Sequence, residues 1–319
     1  MKSNTAMLSC LNSLVYGHEE AKRSLITMIS RSQRSYLAEF RDGEDRSSLP
    51  VPMKVLLIGE SGNGKTFLVE SLRKVVDFPY FYVDATKLNP TGNSTGITET
   101  KLRKDIIDYC ARCVTEMPAR YKSTAGVLAQ LVVFVDEVDK LGNSFESSGK
   151  WNTQVQANFL TLIDDKNILA GVSWVFAGAF TETRKLKEKR LTNKATLGFF
   201  EHKTTEVVEQ EKVELTEEDL LAGGLIPELV GRINNILTLD IITEEQYKDI
   251  ITTRLLPKKL KELENLGVEG NNVIIDVDGM AKTAKKSGMG VRSLQRQLDK
   301  AFLHLEWDIE WDREMSYSK

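Results

Sequence analysis

Gly59-Glu60-Ser61-Gly62-Asn63-Gly64-Lys65-Thr66 follows the apolar run Val55-Leu56-Leu57-Ile58 and opens a helix-patterned segment, Thr66 to Val75. The octapeptide fits GxxxxGK[ST] at every fixed position, and a strand before it with a helix after it is the context that confirms this motif. Glycines let the backbone curl so that its N–H groups converge on phosphate oxygens. The helix starting there adds its positive dipole end to the same anion. Ser61, Gly62, Asn63 and Gly64 thus read as a phosphate cradle, Lys65 as the contact to the β- and γ-phosphates, and Thr66 as a Mg²⁺ ligand.

Outward from this loop, short apolar runs recur at Tyr80 to Val83, Leu131 to Val135, Val172 to Ala177 and Ile236 to Leu239. Continuous apolar runs of this length fit strands covered on both faces. Helical patterns lie between them, at Thr66 to Val75, Glu99 to Met117 and Trp151 to Ile163. The alternation predicts an α/β fold, a mostly parallel sheet with helices on both faces. Upstream, Val15 to Lys22 leads into a helix-patterned run ending near Leu37. After Asp240 the alternation stops. Thr243 to Leu263 is helical around Pro257, Val273 to Ile275 reads as a brief strand, and Asp278 to Lys286 and Ser293 to Trp307 read as helices. Residues 1–240 are therefore expected to form a large nucleotide-binding domain and residues 241–319 a small, mainly helical one.

Leu131-Val132-Val133-Phe134-Val135-Asp136-Glu137 supplies the counterpart of the phosphate loop. A buried strand would deliver Asp136 towards magnesium, and Glu137 is the candidate general base for an attacking water. Alone this pattern is weak, because buried strands often end in acids; downstream of the phosphate loop it indicates ATP with Mg²⁺ and hydrolysis.

Forty-three Lys and Arg against 46 Asp and Glu give a net charge of −3, with pI near 5.9. A generally basic nucleic-acid binder would have a pI above ~9, so nucleic acid is an improbable partner on charge. No apolar run reaches the ~18 residues of a membrane helix. Three cysteines, an odd number without a secretion signal, read as reduced thiols of a cytoplasmic protein. Cys110 and Cys113 form a CxxC inside a helical pattern with no second pair, and read as two helix-face thiols rather than a zinc or redox site. Arg184, Lys185, Lys187, Lys189, Arg190 and Lys194 make a basic run after the fourth strand, read as either solvated loop surface or a partner-docking loop.

Several blocks in order point to a family: Val15-Tyr16-Gly17-His18-Glu19-Glu20-Ala21-Lys22, the phosphate loop, Val135-Asp136-Glu137-Val138-Asp139-Lys140, Ala177-Gly178-Ala179-Phe180, Gly224-Leu225-Ile226-Pro227-Glu228-Leu229-Val230-Gly231-Arg232 and Gly288-Met289-Gly290-Val291-Arg292-Ser293-Leu294. Together they resemble the AAA+ ATPases of the Clp/HSP100 group, most closely the ClpX-type unfoldases, with HslU next. The resemblance runs from about Val15 to Trp307. It implies a P-loop AAA+ large domain with a small lid domain, and a homo-oligomeric ring, usually a hexamer, with ATP at subunit interfaces. Arg232 matches the arginine finger supplied to a neighbour's γ-phosphate, Arg292 the sensor-2 arginine, and Val15 with Tyr16 the strip that packs on adenine. The implied activity is ATP-driven unfolding or remodelling of a protein substrate.

The sequence departs from that pattern at informative places. The pore loop of the family carries an aromatic–hydrophobic pair between glycines, whereas Asn93-Ser94-Thr95-Gly96-Ile97-Thr98-Glu99 stands here, leaving Ile97 as the candidate grip. Trp151 is either a second pore contact or a packing residue. Ala177-Gly178 occupies the place of a polar sensor-1 side chain, so Thr181 or a backbone group would have to position water. Leu197-Gly198-Phe199 matches the tripeptide by which ClpX-like rings dock on a ClpP-like peptidase, or is a small hairpin packed on the body. Two other classes stay open: a nucleic-acid-associated AAA+ ATPase of helicase-loader type that uses the basic run, and a nucleotide-gated assembly scaffold with weak hydrolysis.

Overall fold

The computed structural model describes residues 3–89, 96–142, 149–196, 213–265 and 275–307. The chain divides into two compact units, Met1–Gly59 with Lys65–Asp240, and Glu60–Gly64 with Ile241–Lys319.

The first unit is built on five parallel strands, β1 (Lys54–Ile58), β2 (Tyr80–Asp84), β3 (Val132–Asp136), β4 (Ser173–Gly178) and β5 (Asn235–Thr238), in the order β2-β3-β4-β1-β5. Each lies within a residue or two of its apolar run. Its helices are α1 (Asn4–Leu14), α2 (Glu19–Phe40), α3 (Lys65–Val75), α4 (Glu99–Glu116), α5 (Thr124–Leu128), α6 (Gly149–Ile163), α7 (Thr181–Thr196), α8 (Glu217–Ala222) and α9 (Pro227–Val230).

Side chains alternate across a strand, so each central strand feeds two cores. Leu56 and Ile58 of β1 face one cluster with Val133, Val135, Trp174 and Phe176, covered by α4, α5 and α6. Val55 and Leu57 face the other, with Val132, Phe134, Val175 and Ala177, under α1, α2 and α3. All four apolar residues of β1 are completely buried, and each such side chain contributes about 1.5–3 kcal/mol. That double burial is why the strands are continuous apolar runs.

Two features of this unit depart from the sequence reading. Residues 4–14 form a helix that was not expected there. Ser3 caps it by accepting from the Ala6 N–H at 3.2 Å, and Met7 and Leu11, one turn apart, are buried. The basic run from Arg184 is a helix rather than a loop. Arg184 is itself buried, Lys185 pairs with Glu182, and Lys187 bonds Asp219 at 2.7 Å and the Glu214 carbonyl at 2.6 Å. A segment with little apolar content is helical here, with Lys185 paired on the helix itself and Lys187 on the neighbouring α8 segment.

The second unit contains α10 (Glu244–Ile250), α11 (Leu256–Asn265), α12 (Val277–Ser287) and α13 (Gly290–Trp307). Thr243 and Gln246 cap α10 reciprocally, each side chain bonding the other's backbone N–H. A π-helical turn, Ile251–Leu255, separates α10 from α11 just before Pro257, whose ring lacks an N–H for the helical ladder. Leu263, Leu298 and Phe302 form the centre of this unit's core. Ile275 packs on it but lies in no strand, and the rest of the expected Val273 to Ile275 strand is outside the described residues. Gly288 ends α12 in the left-handed conformation (φ 63°), as a C-terminal glycine does.

Candidate functional site

Parallel strands deliver all their C-terminal ends to one edge of the sheet, where ligands of such folds bind. At that edge Lys65 opens α3 and its Nζ donates to the Gly59 carbonyl at 2.5 Å. The Thr66 hydroxyl donates to Asp136 Oδ2 at 3.0 Å. Asp136 is the last residue of β3, and its other oxygen accepts the Glu137 N–H at 2.9 Å. Glu137 has left-handed backbone (φ 58°) and is exposed. A non-glycine residue held there turns the chain sharply off the strand, and the exposed Glu137 follows directly on the Thr66–Asp136 pair. The structure thus brings Lys65, Thr66, Asp136 and Glu137 together.

The donor set suits magnesium. Mg²⁺ takes hard oxygens in octahedral geometry at 2.0–2.1 Å, so neighbouring ligands are about 2.9 Å apart. A hydroxyl and a carboxylate oxygen at 3.0 Å already match that edge. The phosphate loop suits an anion: Gly62 (φ 78°) and Gly64 (φ 86°) both occupy conformations that side chains rarely adopt. Within the second unit, Arg292 is exposed and its Nη1 donates to the Ser61 hydroxyl at 3.0 Å. Asn63 is buried, with its N–H on the Glu60 carbonyl at 3.1 Å.

The end of β4 explains its missing side chain. A Cβ on Gly178 would stand 2.6 Å from the Phe180 ring and 2.9 Å from Asp139 Oδ1. Phe180 has φ 48°, and Asp139 accepts the Ala179 N–H at 3.2 Å. The space of a larger residue is therefore filled by the Phe180 ring and the Asp139 carboxylate. Thr181, at the start of α7, is exposed.

Arg232 lies at the opposite edge. It follows α9, whose Pro227 occupies the first helical position, and precedes β5. Asn234 pairs with Lys54, the first residue of β1, through Lys54 N–H to Asn234 Oδ1 (2.7 Å) and Asn234 N–H to the Lys54 carbonyl (2.8 Å). Arg232 is thus at the N-terminal ends of the strands, while Thr66 and Asp136 are at the C-terminal ends. Four strand residues between them span about 13 Å. Arg232 is exposed, and its Nε donates to both oxygens of Asp164, at 2.7 and 2.9 Å.

The other expected residues are distributed as follows. Val15 is buried and its carbonyl accepts Lys22 Nζ at 2.7 Å; Tyr16 beside it is half-buried. Ile97 is half-buried, packs on the core and pairs by backbone with Leu88 and its neighbours. Trp151 falls in the first turn of α6. Leu197, Gly198 and Phe199 lie outside the described residues. Cys110 and Cys113 are both buried in α4, and burial pushes the Cys110 thiol up to about 12. Among the described residues no cluster of His, Cys, Asp or Glu is arranged to hold a metal ion, and no helix is long and apolar enough to cross a membrane.

Two residues that organise these edges were missed. Gln156 is completely buried in α6; its Nε2 donates to the carbonyls of Leu141 (2.6 Å) and Gly224 (3.1 Å), and its Oε1 accepts the Ile226 N–H (2.8 Å). It fastens the segment after β3 to the segment that carries Arg232. A lone amide among the apolar positions Val155, Phe159 and Leu162 was the available signal. Asp164, just beyond α6, gave none.

The family model described as "ATPase family associated with various cellular activities (AAA)" matches residues 55–199. This part of the chain is similar to the AAA domains. The match begins in β1 and takes in the phosphate loop, β2, β3 and β4. The fold around that match, a five-stranded parallel sheet flanked by helices and followed in sequence by a helical region, is consistent with a P-loop AAA+ fold. AAA domains bind ATP with Mg²⁺ and usually work in oligomeric rings.

Proposed function

We propose that the chain is an ATP-hydrolysing motor of the ClpX type, assembling into a hexameric ring that unfolds or remodels protein substrates in the cytoplasm. The 3.0 Å contact between Thr66 and Asp136, with Glu137 next in sequence, carries the hydrolytic part of this reading. Lys65 and the amides of Ser61 to Gly64 hold the phosphates. Thr66 and Asp136 hold Mg²⁺, which offsets charge on the β- and γ-phosphate oxygens. Glu137 takes the proton of the attacking water. Residues 1–240 serve as the large domain and 241–319 as the lid, with Arg292 reporting the nucleotide to it. Val15 and Tyr16 line the adenine.

The position of Arg232 supports the ring. An arginine at the far edge of the sheet is badly placed for its own phosphate loop but well placed to complete the site of a neighbour, where it would neutralise charge developing in the transition state. Ile97 and Trp151 are the proposed substrate contacts, and Leu197-Gly198-Phe199 the proposed docking segment for a ClpP-like peptidase. The scaffold reading keeps one observation in its favour: Phe180 and Asp139 occupy the space at Gly178 where a polar water-positioning side chain would stand.

Glu137→Gln tests the reading. It should keep ATP binding and lower steady-state phosphate release about 10²- to 10⁴-fold, and the ATP-loaded variant should retain protein substrate on pull-down. Turnover at the native rate would remove Glu137 as the base. A native chain with no multiple turnover would favour the scaffold, and recovery of nucleic acid alone would sink the unfoldase.

A further inference from the structure

The arginine at the far edge does not stand alone. Asp164 grips Arg232 by Nε, with both carboxylate oxygens within 2.9 Å of that one nitrogen. Neither terminal nitrogen of Arg232 makes a hydrogen bond to a described residue, and the side chain is about half exposed. The Arg232 bond holds the Asp164 carboxyl below the usual carboxylate range, with the Lys54 and Lys166 ammonium groups acting in the same direction.

The carrier of Asp164 is itself fixed. Asp165, with its side chain buried, pairs with Arg103 of α4 and accepts the N–H groups of Asn167 and Ile168, both at 2.8 Å. Arg103 is held in turn by Glu99, through Nε at 3.2 Å and Nη2 at 3.0 Å. The peptide bearing Asp164 is therefore pinned on one side to α4 while its carboxylate reaches Arg232 on the other. An exposed ion pair contributes little to stability, so this arrangement is better explained by orientation than by folding.

We propose that Asp164 is a positioning residue for hydrolysis at the adjoining subunit, holding the Arg232 guanidinium by Nε so that its two terminal nitrogens are presented together to the neighbour's γ-phosphate. This rests on Arg232 acting as the finger. An arginine side chain has many rotamers, and fixing one before the phosphate arrives removes that ordering cost from the transition state. A carboxylate on Nε leaves the terminal fork free for bidentate contact with phosphate.

The test is a double-mutant cycle in the full-length chain, with steady-state ATPase measured across ATP concentrations for Asp164→Ala, Arg232→Ala and the pair. Asp164→Ala should lower kcat about 10- to 100-fold with KM for ATP unchanged, and the double variant should be no slower than Arg232→Ala alone. Asp164→Asn, which keeps the side-chain volume, should show the same loss of kcat, and native melting temperature and particle size would exclude misfolding. Two outcomes overturn the proposal: native kcat in both Asp164 variants, or losses that multiply in the double variant. Native activity of Arg232→Ala would instead remove the finger reading on which the proposal rests.

Discussion

The two edges of the parallel sheet are built differently although one set of strands makes both. At the C-terminal edge Lys65, Thr66, Asp136 and Glu137 are close in space and fixed by strand ends and a helix start. At the N-terminal edge one exposed arginine is held by a single carboxylate beyond α6. In the proposed mechanism the first edge holds most of a reaction site within one chain, and the second supplies one exposed charged group. A site completed by joining unlike edges of neighbouring copies is a head-to-tail contact, the kind that closes into rings.

The strongest way to break this comparison is to mix chains. Thr66→Val and Arg232→Ala should each abolish most ATP turnover alone, the second by about 10³-fold or more. Mixed in equal amounts, they should recover up to about a quarter of the native rate, the share of interfaces that pair an intact site with an intact arginine in a random ring. Phosphate release from the mixture decides it. No recovery would mean that Arg232 serves the site of its own chain.

Gln156 sharpens the comparison through stability, because it ties the Leu141 segment to the Gly224–Ile226 segment. Gln156→Leu leaves two carbonyls and an N–H buried without partners, and should cost about 3 kcal/mol, read from the urea midpoint. A loss well under 1 kcal/mol would show that this amide does not hold the two edges in register.

A smaller effect concerns α7 and α8. Burial pushes the Asp219 carboxyl up, but its bonds to Lys187 and Thr216 outweigh that and leave it below the ordinary 3.8. A carboxyl depressed in the folded state stabilises fully above its unfolded value and loses that contribution as pH falls through its folded one. The urea midpoint of the native chain should exceed that of Asp219→Asn at pH 6, and the gap should close below pH about 4. A gap constant across that range would mean that the Lys187 pair adds nothing.

The C-terminal edge was legible in sequence because its chemistry is local. Glycines at fixed spacing, a lysine and a threonine sit in one octapeptide, and the strands announce themselves as uninterrupted apolar runs since both faces are covered. What was not legible depends on contacts distant in sequence. The carboxylate that meets Arg232 is 68 positions away, and Gln156 reaches 70 positions to Ile226. The helical state of the Arg184 run was hidden in part for the same reason: Lys187 is held by Asp219 and the Glu214 carbonyl, about thirty positions on, and composition alone reads as a loop. The bare Gly178 looked like a missing group, whereas it is a position whose volume Phe180 and Asp139 already fill.

His18 and Asp240 add a kinetic consequence. Each bonds the other's backbone N–H, with Asp240 N–H on His18 Nδ1 at 2.9 Å and His18 N–H on the Asp240 carboxylate, across 222 positions. Closing so long a span is entropically expensive, so the clasp is expected to close after the strands have found their register. Contacts absent from the folding transition state govern how fast a protein comes apart rather than how fast it forms. His18→Ala should therefore steepen neither limb of a chevron but raise the unfolding limb, shortening the lifetime of the folded unit while its refolding rate stays unchanged.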